Sequence, residues 1–129
     1  MSPREPITTD HAPGAIGPYS QAIAVDGWVY TSGQIALDPA DGTMVGDDAP
    51  SQTHQVLTNL VAVLEAAGCA PADVVRTTVF LADMADFAAV NEIYATVFGG
   101  DAPPARACVA VKTLPRNGLV EIDAVARRP

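Results

Sequence analysis

The chain has 129 residues, a length that suits one domain able to bury roughly two-thirds of its unfolded surface. Hydrophobic residues make up 49% and charged residues 17%, which excludes a disordered chain, and aromatic residues at 5% leave Val, Leu, Ile and Ala to build the core. With 7 basic residues against 15 acidic ones the net charge is −8, so phosphate backbones and anionic membrane surfaces are repelled.

The longest basic run is Arg127-Arg128. No apolar stretch approaches the roughly 20 residues that span a bilayer, and the opening MSPREP lacks the basic and apolar regions of a secretory signal. Cys69 and Cys108 form no CxxC pair and no metal-ligand spacing with His11 or His54. We therefore expect a cytoplasmic protein with two reduced thiols and no metal site.

No internal repeat, low-complexity tract or linker interrupts residues 1–129, which are treated as a single domain. The first 18 residues, rich in Pro and Gly, read as an irregular leading segment. Gln21–Val25 and Trp28–Ser32 are apolar and β-prone, and Asp26-Gly27 between them signals a hairpin. Asp38–Thr43 (DPADGT) is a loop. Asp47-Asp48, with Pro50 in the first turn, open a helix whose face is Val56, Leu57, Leu60, Val61 and Leu64 and whose stop is Gly68.

The β-branched run Val74–Leu81 follows as a strand. Phe87, Val90, Tyr94 and Val97 then mark one face of a second helix, ended by Gly99-Gly100. Two strands close the chain, Arg106–Val111 and Leu119–Val125, joined by a turn with Pro115 and Asn117-Gly118. The order β-β-α-β-α-β-β describes an α+β fold, a mixed sheet with two helices on one face. The other face must meet water or another subunit, and an apolar-rich chain favours the subunit. If the more apolar set of each strand faces the helices, Arg106, Cys108 and Glu121 lie together on the uncovered face.

Few residues stand out chemically. Arg106 begins a strand otherwise built from small apolar residues. Its planar fork of donors suits a carboxylate ligand, and equally a salt bridge to Glu121 or Asp123. Glu121 sits inside LVEIDAV, where it either holds and activates a water or is a solvated residue on an open face. Tyr19 presents a hydroxyl to a ligand or anchors the leading segment. Ser32-Gly33-Gln34 offers close backbone approach or a strand-end bulge. His54 lies among polar residues of the first helix and reads as exposed. HExxH, P-loop, GxGxxG and GxSxG patterns are all missing. Cys108 has no neighbouring His to make it a nucleophile.

Several segments in order resemble the RidA (YjgF/YER057c/UK114) family of enamine/imine deaminases: Ile16–Ala22 (IGPYSQA), Thr31–Ile35 (TSGQI), Arg76–Leu81 (RTTVFL), Asp86–Tyr94 (DFAAVNEIY), Pro104–Val109 (PARACV) and Val120–Ala126 (VEIDAVA). The resemblance spans nearly the whole chain. It implies a chorismate-mutase-like fold and a homotrimer with sites between subunits. The implied reaction is hydrolysis of 2-imino acids, such as 2-iminopropanoate and 2-iminobutanoate, to 2-oxo acids and ammonia, with no cofactor. Carried over by position, Arg106 binds the substrate carboxylate and Glu121 positions the attacking water. Tyr19, Ser32 and Gly33 line the site, Asn91 approaches from the second helix, and Cys108 contributes its backbone carbonyl. The Arg116-Asn117-Gly118 turn and the Gly99-Gly100-Asp101 connection depart from the common pattern. The competing readings are a non-catalytic trimer that binds small carboxylates or regulates a partner, and an RNA-cleaving activity, which the charge opposes.

Overall fold

The computed structural model describes residues 3–129. Six strands form one sheet: β1 (Glu5–Ile7), β2 (Ala22–Val25), β3 (Trp28–Thr31), β4 (Val74–Leu81), β5 (Ala105–Ala110) and β6 (Val120–Arg127). Their spatial order is β1-β2-β3-β6-β4-β5. All neighbours are antiparallel except β4 and β5, which run parallel. The helices α1 (Ala49–Ala66) and α2 (Phe87–Phe98) pack together over one face. The α+β architecture expected from sequence is therefore the one observed, with one addition. The Pro-rich leading segment is not wholly irregular: Glu5–Ile7 pairs with β2, placing Ile7 opposite Ala22 in the core. Three residues are too short for a period-2 pattern to be read.

Local chemistry explains the boundaries. Asp26 and Gly27 both adopt positive φ (53° and 83°), the conformation a two-residue hairpin loop needs to match strand twist. Asp48 caps α1 by accepting from Ser51 N–H at 2.9 Å. Gly68 ends it at φ 85°, where its N–H reaches Glu65 O and Cys69 N–H reaches Leu64 O. Val56, Leu60, Val63 and Leu64 of α1 are fully buried against Val29, Val79, Leu81, Val120 and Ile122 of the sheet. Each such side chain contributes about 1.5–3 kcal/mol of burial.

Among the described residues no helix covers the opposite face of the sheet. Cross-strand register places Ile23 beside Tyr30, Tyr30 beside Val125 and Phe80 beside Glu121 on it. Tyr30 and Val109 are each nearly half exposed there (47% and 45%). The same face also carries Arg76, Thr78, Glu121 and Asp123, so apolar and charged side chains alternate across it.

Candidate functional site

The parallel pairing of β4 with β5 decides where Arg106 points. Arg106 pairs with Thr77 and Cys108 with Val79, while Thr77 and Val79 are buried under the helices. Residues at the same register level project to the same face. Arg106 and Cys108 therefore face α2, and Ala107 and Val109 occupy the uncovered face. The expectation that Arg106 and Cys108 share the uncovered face with Glu121 is overturned. It rested on hydropathy, which fails on an edge strand whose helix-side neighbours are aromatic and polar.

Glu121 does lie on the uncovered face, opposite Phe80. It lines a recess of about 70 Å³ with Tyr19, Gly33, Gln34, Ile35, Leu37 and Pro115. The carboxylate rests on Gly33: a Cβ built there would come within 2.5 Å of Glu121 Oε2 and 2.8 Å of its Cδ. Burial pushes the Glu121 carboxyl above its ordinary value, and the charge of Asp123 two residues on adds to the rise. Asp123 is itself raised by burial, partly offset by Thr78 and Arg76.

The walls of this recess are tied from behind. Gln21 is buried and clamps the leading segment, donating to Thr9 O, Ala12 O and Pro13 O and accepting from Thr9 N–H. Ser32 donates its hydroxyl to Ser20 O at 2.6 Å, so it braces the Tyr19 loop instead of presenting a free hydroxyl. Tyr19 is exposed, and its phenol oxygen accepts from Ile16 N–H at 3.2 Å. Buried Asn59 of α1 donates to Ile35 O and Leu37 O, holding the segment after Gly33.

Arg106 occupies a second, separate pocket of about 350 Å³ with Asn91, Tyr94, Phe98, Pro103 and Pro104 among its walls. Its guanidinium donates to Asn91 Oδ1 at 2.6 Å and lies 4.9 Å from the Tyr94 ring centroid and 5.6 Å from that of Phe87. The salt bridge to Glu121 or Asp123 left open by the sequence does not form; Arg128–Glu5 is the ion pair found among the described residues. Cys108 packs against the core, and burial raises its thiol, an effect partly offset by the charge of Arg106. Its backbone has a different outlook. Val111 N–H bonds back to Leu81 O, so by the alternation of a parallel ladder the Cys108 carbonyl points away from β4, off the sheet edge. Both cysteines are free, and no group of three metal-ligating side chains occurs among the described residues.

One chain thus carries two separate pockets on opposite faces of the sheet: one around the Arg106 guanidinium with Asn91, and one around the Glu121 carboxylate with Gly33 and Tyr19. A family model described as Endoribonuclease L-PSP matches residues 9–128. The chain belongs to this family, the RidA/YjgF group. Among family members, a RutC family protein of Synechocystis is 56% identical over 124 residues, covering 95% of each chain. The mouse 2-iminobutanoate/2-iminopropanoate deaminase is 53% identical over 123 residues, covering 95% of this chain and 90% of its own. The crystal structure of E. coli TdcF with bound serine superposes with a TM-score of 0.91 at 40% identity, covering 97% of this chain and 99% of that one. Membership in the family fits a small-molecule substrate.

Sequence reasoning did not single out Phe87, Tyr94 or Thr77 as neighbours of Arg106. The signal was present as spacing: 87, 91 and 94 fall on one helical stripe. What the spacing could not supply was the strand it faces.

Proposed function

We propose that the protein hydrolyses small 2-imino acids to 2-oxo acids and ammonia at sites formed between copies of the chain, in a homotrimer. The observation that carries this reading is the placement of Arg106 and Glu121 on opposite faces of one sheet. Neither half-site suffices alone, and a head-to-tail ring of three copies would set the cation half of one against the carboxylate half of the next. The exposed Tyr30 and Val109 on the uncovered face support such an assembly. The deaminase name of the mouse relative supports the chemistry, and the serine bound to TdcF supports a small carboxylate ligand.

In this reading the free edge of the Arg106 fork binds the substrate carboxylate. Glu121 of the neighbouring copy takes a proton from a water as its oxygen adds to the imine carbon. It returns that proton to the nitrogen, and the carbinolamine collapses to the 2-oxo acid and ammonia. An iminium carbon is already electrophilic, so orientation and proton transfer carry the catalysis. Gly33 and Tyr19 shape the pocket, with Ser32 bracing it from behind. The Cys108 carbonyl is aimed to accept from the imine or water. The reaction needs no cofactor, and the free cysteines suit the reducing cytoplasm.

The test is a coupled assay in which a pyridoxal-phosphate-dependent threonine dehydratase generates 2-iminobutanoate. Added protein should accelerate 2-oxobutanoate and ammonia formation, and Arg106→Ala should abolish the effect. An unchanged rate with wild-type protein overturns the reading; 2-oxo-acid binding without turnover would favour a non-catalytic carboxylate-binding protein instead.

A further inference from the structure

We infer that Phe87, Asn91 and Tyr94 of α2, with Thr77 of β4 behind them, form an uncharged cradle that orients the Arg106 guanidinium while leaving its charge for an anionic ligand. The inference rests on the proposed role of Arg106 as a carboxylate anchor. In a chain with 15 acidic and 7 basic residues, a half-buried arginine would ordinarily be met by a carboxylate. Among the described residues no carboxylate lies within ion-pairing distance of it. Two aromatic rings and one amide oxygen take its place.

The geometry follows from helix spacing. Positions 87, 91 and 94 recur at i, i+4 and i+7, so the three side chains lie along one stripe of α2. That stripe overhangs β5 where Arg106 emerges. Ring faces attract a cation through their quadrupole without bearing charge. They hold the guanidinium plane and occupy none of its N–H donors. Asn91 occupies one of the two donors on Nη1. The remaining fork stays available for a bidentate carboxylate.

Thr77 fixes the more closely apposed ring. Its hydroxyl lies 2.7 Å from the Tyr94 hydroxyl, and both groups are buried. Tyr94 also packs on Phe98, with centroids 5.0 Å apart. Burial raises the Tyr94 phenol, so it stays un-ionised beside the cation. Thr77 and Tyr94 are thus positioning residues for Arg106, not catalytic ones. Asn91 differs from an aspartate by one atom type, and that difference keeps the cation unpaired.

The experiment measures pyruvate binding by calorimetry and steady-state kinetics on the 2-imino acid, with melting temperature followed for every variant. Asn91→Asp preserves shape and places a carboxylate on the guanidinium. It should weaken pyruvate binding by at least about tenfold and raise KM by more than it lowers kcat, through charge competition. Tyr94→Leu should weaken binding similarly, and Tyr94→Phe, which keeps the ring but loses its bond to Thr77, should fall between Tyr94→Leu and wild type. Wild-type pyruvate affinity in Asn91→Asp or in a folded Tyr94→Leu overturns the cradle. Should Tyr94→Leu fail to fold, Asn91→Asp decides alone. Wild-type affinity in Arg106→Ala overturns the anchor reading itself.

Discussion

Arg106 and Glu121 lie in one sheet, level with Thr77 and Phe80 of β4 respectively, yet project to opposite sides of it. Arg106 pairs through Thr77, whose side chain is buried beneath the helices, and Glu121 pairs with Phe80 on the uncovered face. A strand cannot turn two such side chains to one ligand without slipping register, and a slip of one residue would expose the buried set of β6. If both residues serve one substrate, they come from different copies of the chain.

Subunit mixing tests that arrangement. If the proposed homotrimer forms, the Arg106→Ala and Glu121→Ala proteins should each be nearly inactive. Unfolded and refolded together in equal amounts, they should regain about a quarter of wild-type activity, the share of intact Arg–Glu junctions in randomly assembled three-fold rings. Recovery of no activity would place both residues' work within single chains, or in neither.

Gly33 is required by contact, not by backbone conformation, since a Cβ there meets the Glu121 carboxylate at 2.5 Å. That carboxylate ends a flexible side chain and can move aside. Gly33→Ala should therefore fold with little change in melting temperature and lose on the order of 100-fold in kcat/KM, the typical consequence of shifting a catalytic group by about 1 Å. Activity near wild type would remove Glu121 from the chemistry or show that its position is not critical.

Because burial and Asp123 raise the Glu121 carboxyl, the folded protein holds that proton more tightly than the unfolded chain. The associated stability is complete below the unfolded value of about 4.3 and is lost as pH rises through the higher folded value. Glu121→Gln should thus match wild type in acid and melt higher than wild type at neutral pH. Activity should fall in the same variant by roughly 10²–10⁴-fold, the range for loss of a general base. In the wild type, kcat/KM should decline on acidification with an inflection above the ordinary glutamate range. Thermal melts and a pH–rate profile check both directions.

Asn59 couples the helix layer to the Glu121 recess by donating to Ile35 O and Leu37 O. Asn59→Leu removes both donors from a fully buried position. It should cost about 1–3 kcal/mol, because a buried carbonyl loses a partner. Denaturant unfolding should show the loss, with a matching rise in KM from slackening of the recess wall.

The name of the matching family, Endoribonuclease L-PSP, invites a test on RNA. At net charge −8 and with no basic track, the protein should show no salt-dependent binding to single-stranded RNA in fluorescence anisotropy. Binding that weakens steeply with salt would contradict this.

Much of this molecule is legible in one dimension. The capped start of α1 at Asp48, its glycine stop, the Asp26-Gly27 hairpin and the alternation of β6 are local, since each depends on residues within one or two turns. Those signals were enough for the α+β order, and the motifs around Tyr19, Ser32-Gly33, Asn91, Arg106 and Glu121 were enough for the family. The tertiary structure alone decided which way β5 faces. Its alternation is ambiguous because both faces carry small residues, and only the parallel register with β4 sets Arg106 level with Thr77. The same holds for the ring of Tyr94 under the guanidinium and for the carboxylate seated on Gly33. These contacts join residues 12 to 88 positions apart, and non-local packing, not any local propensity, determines them.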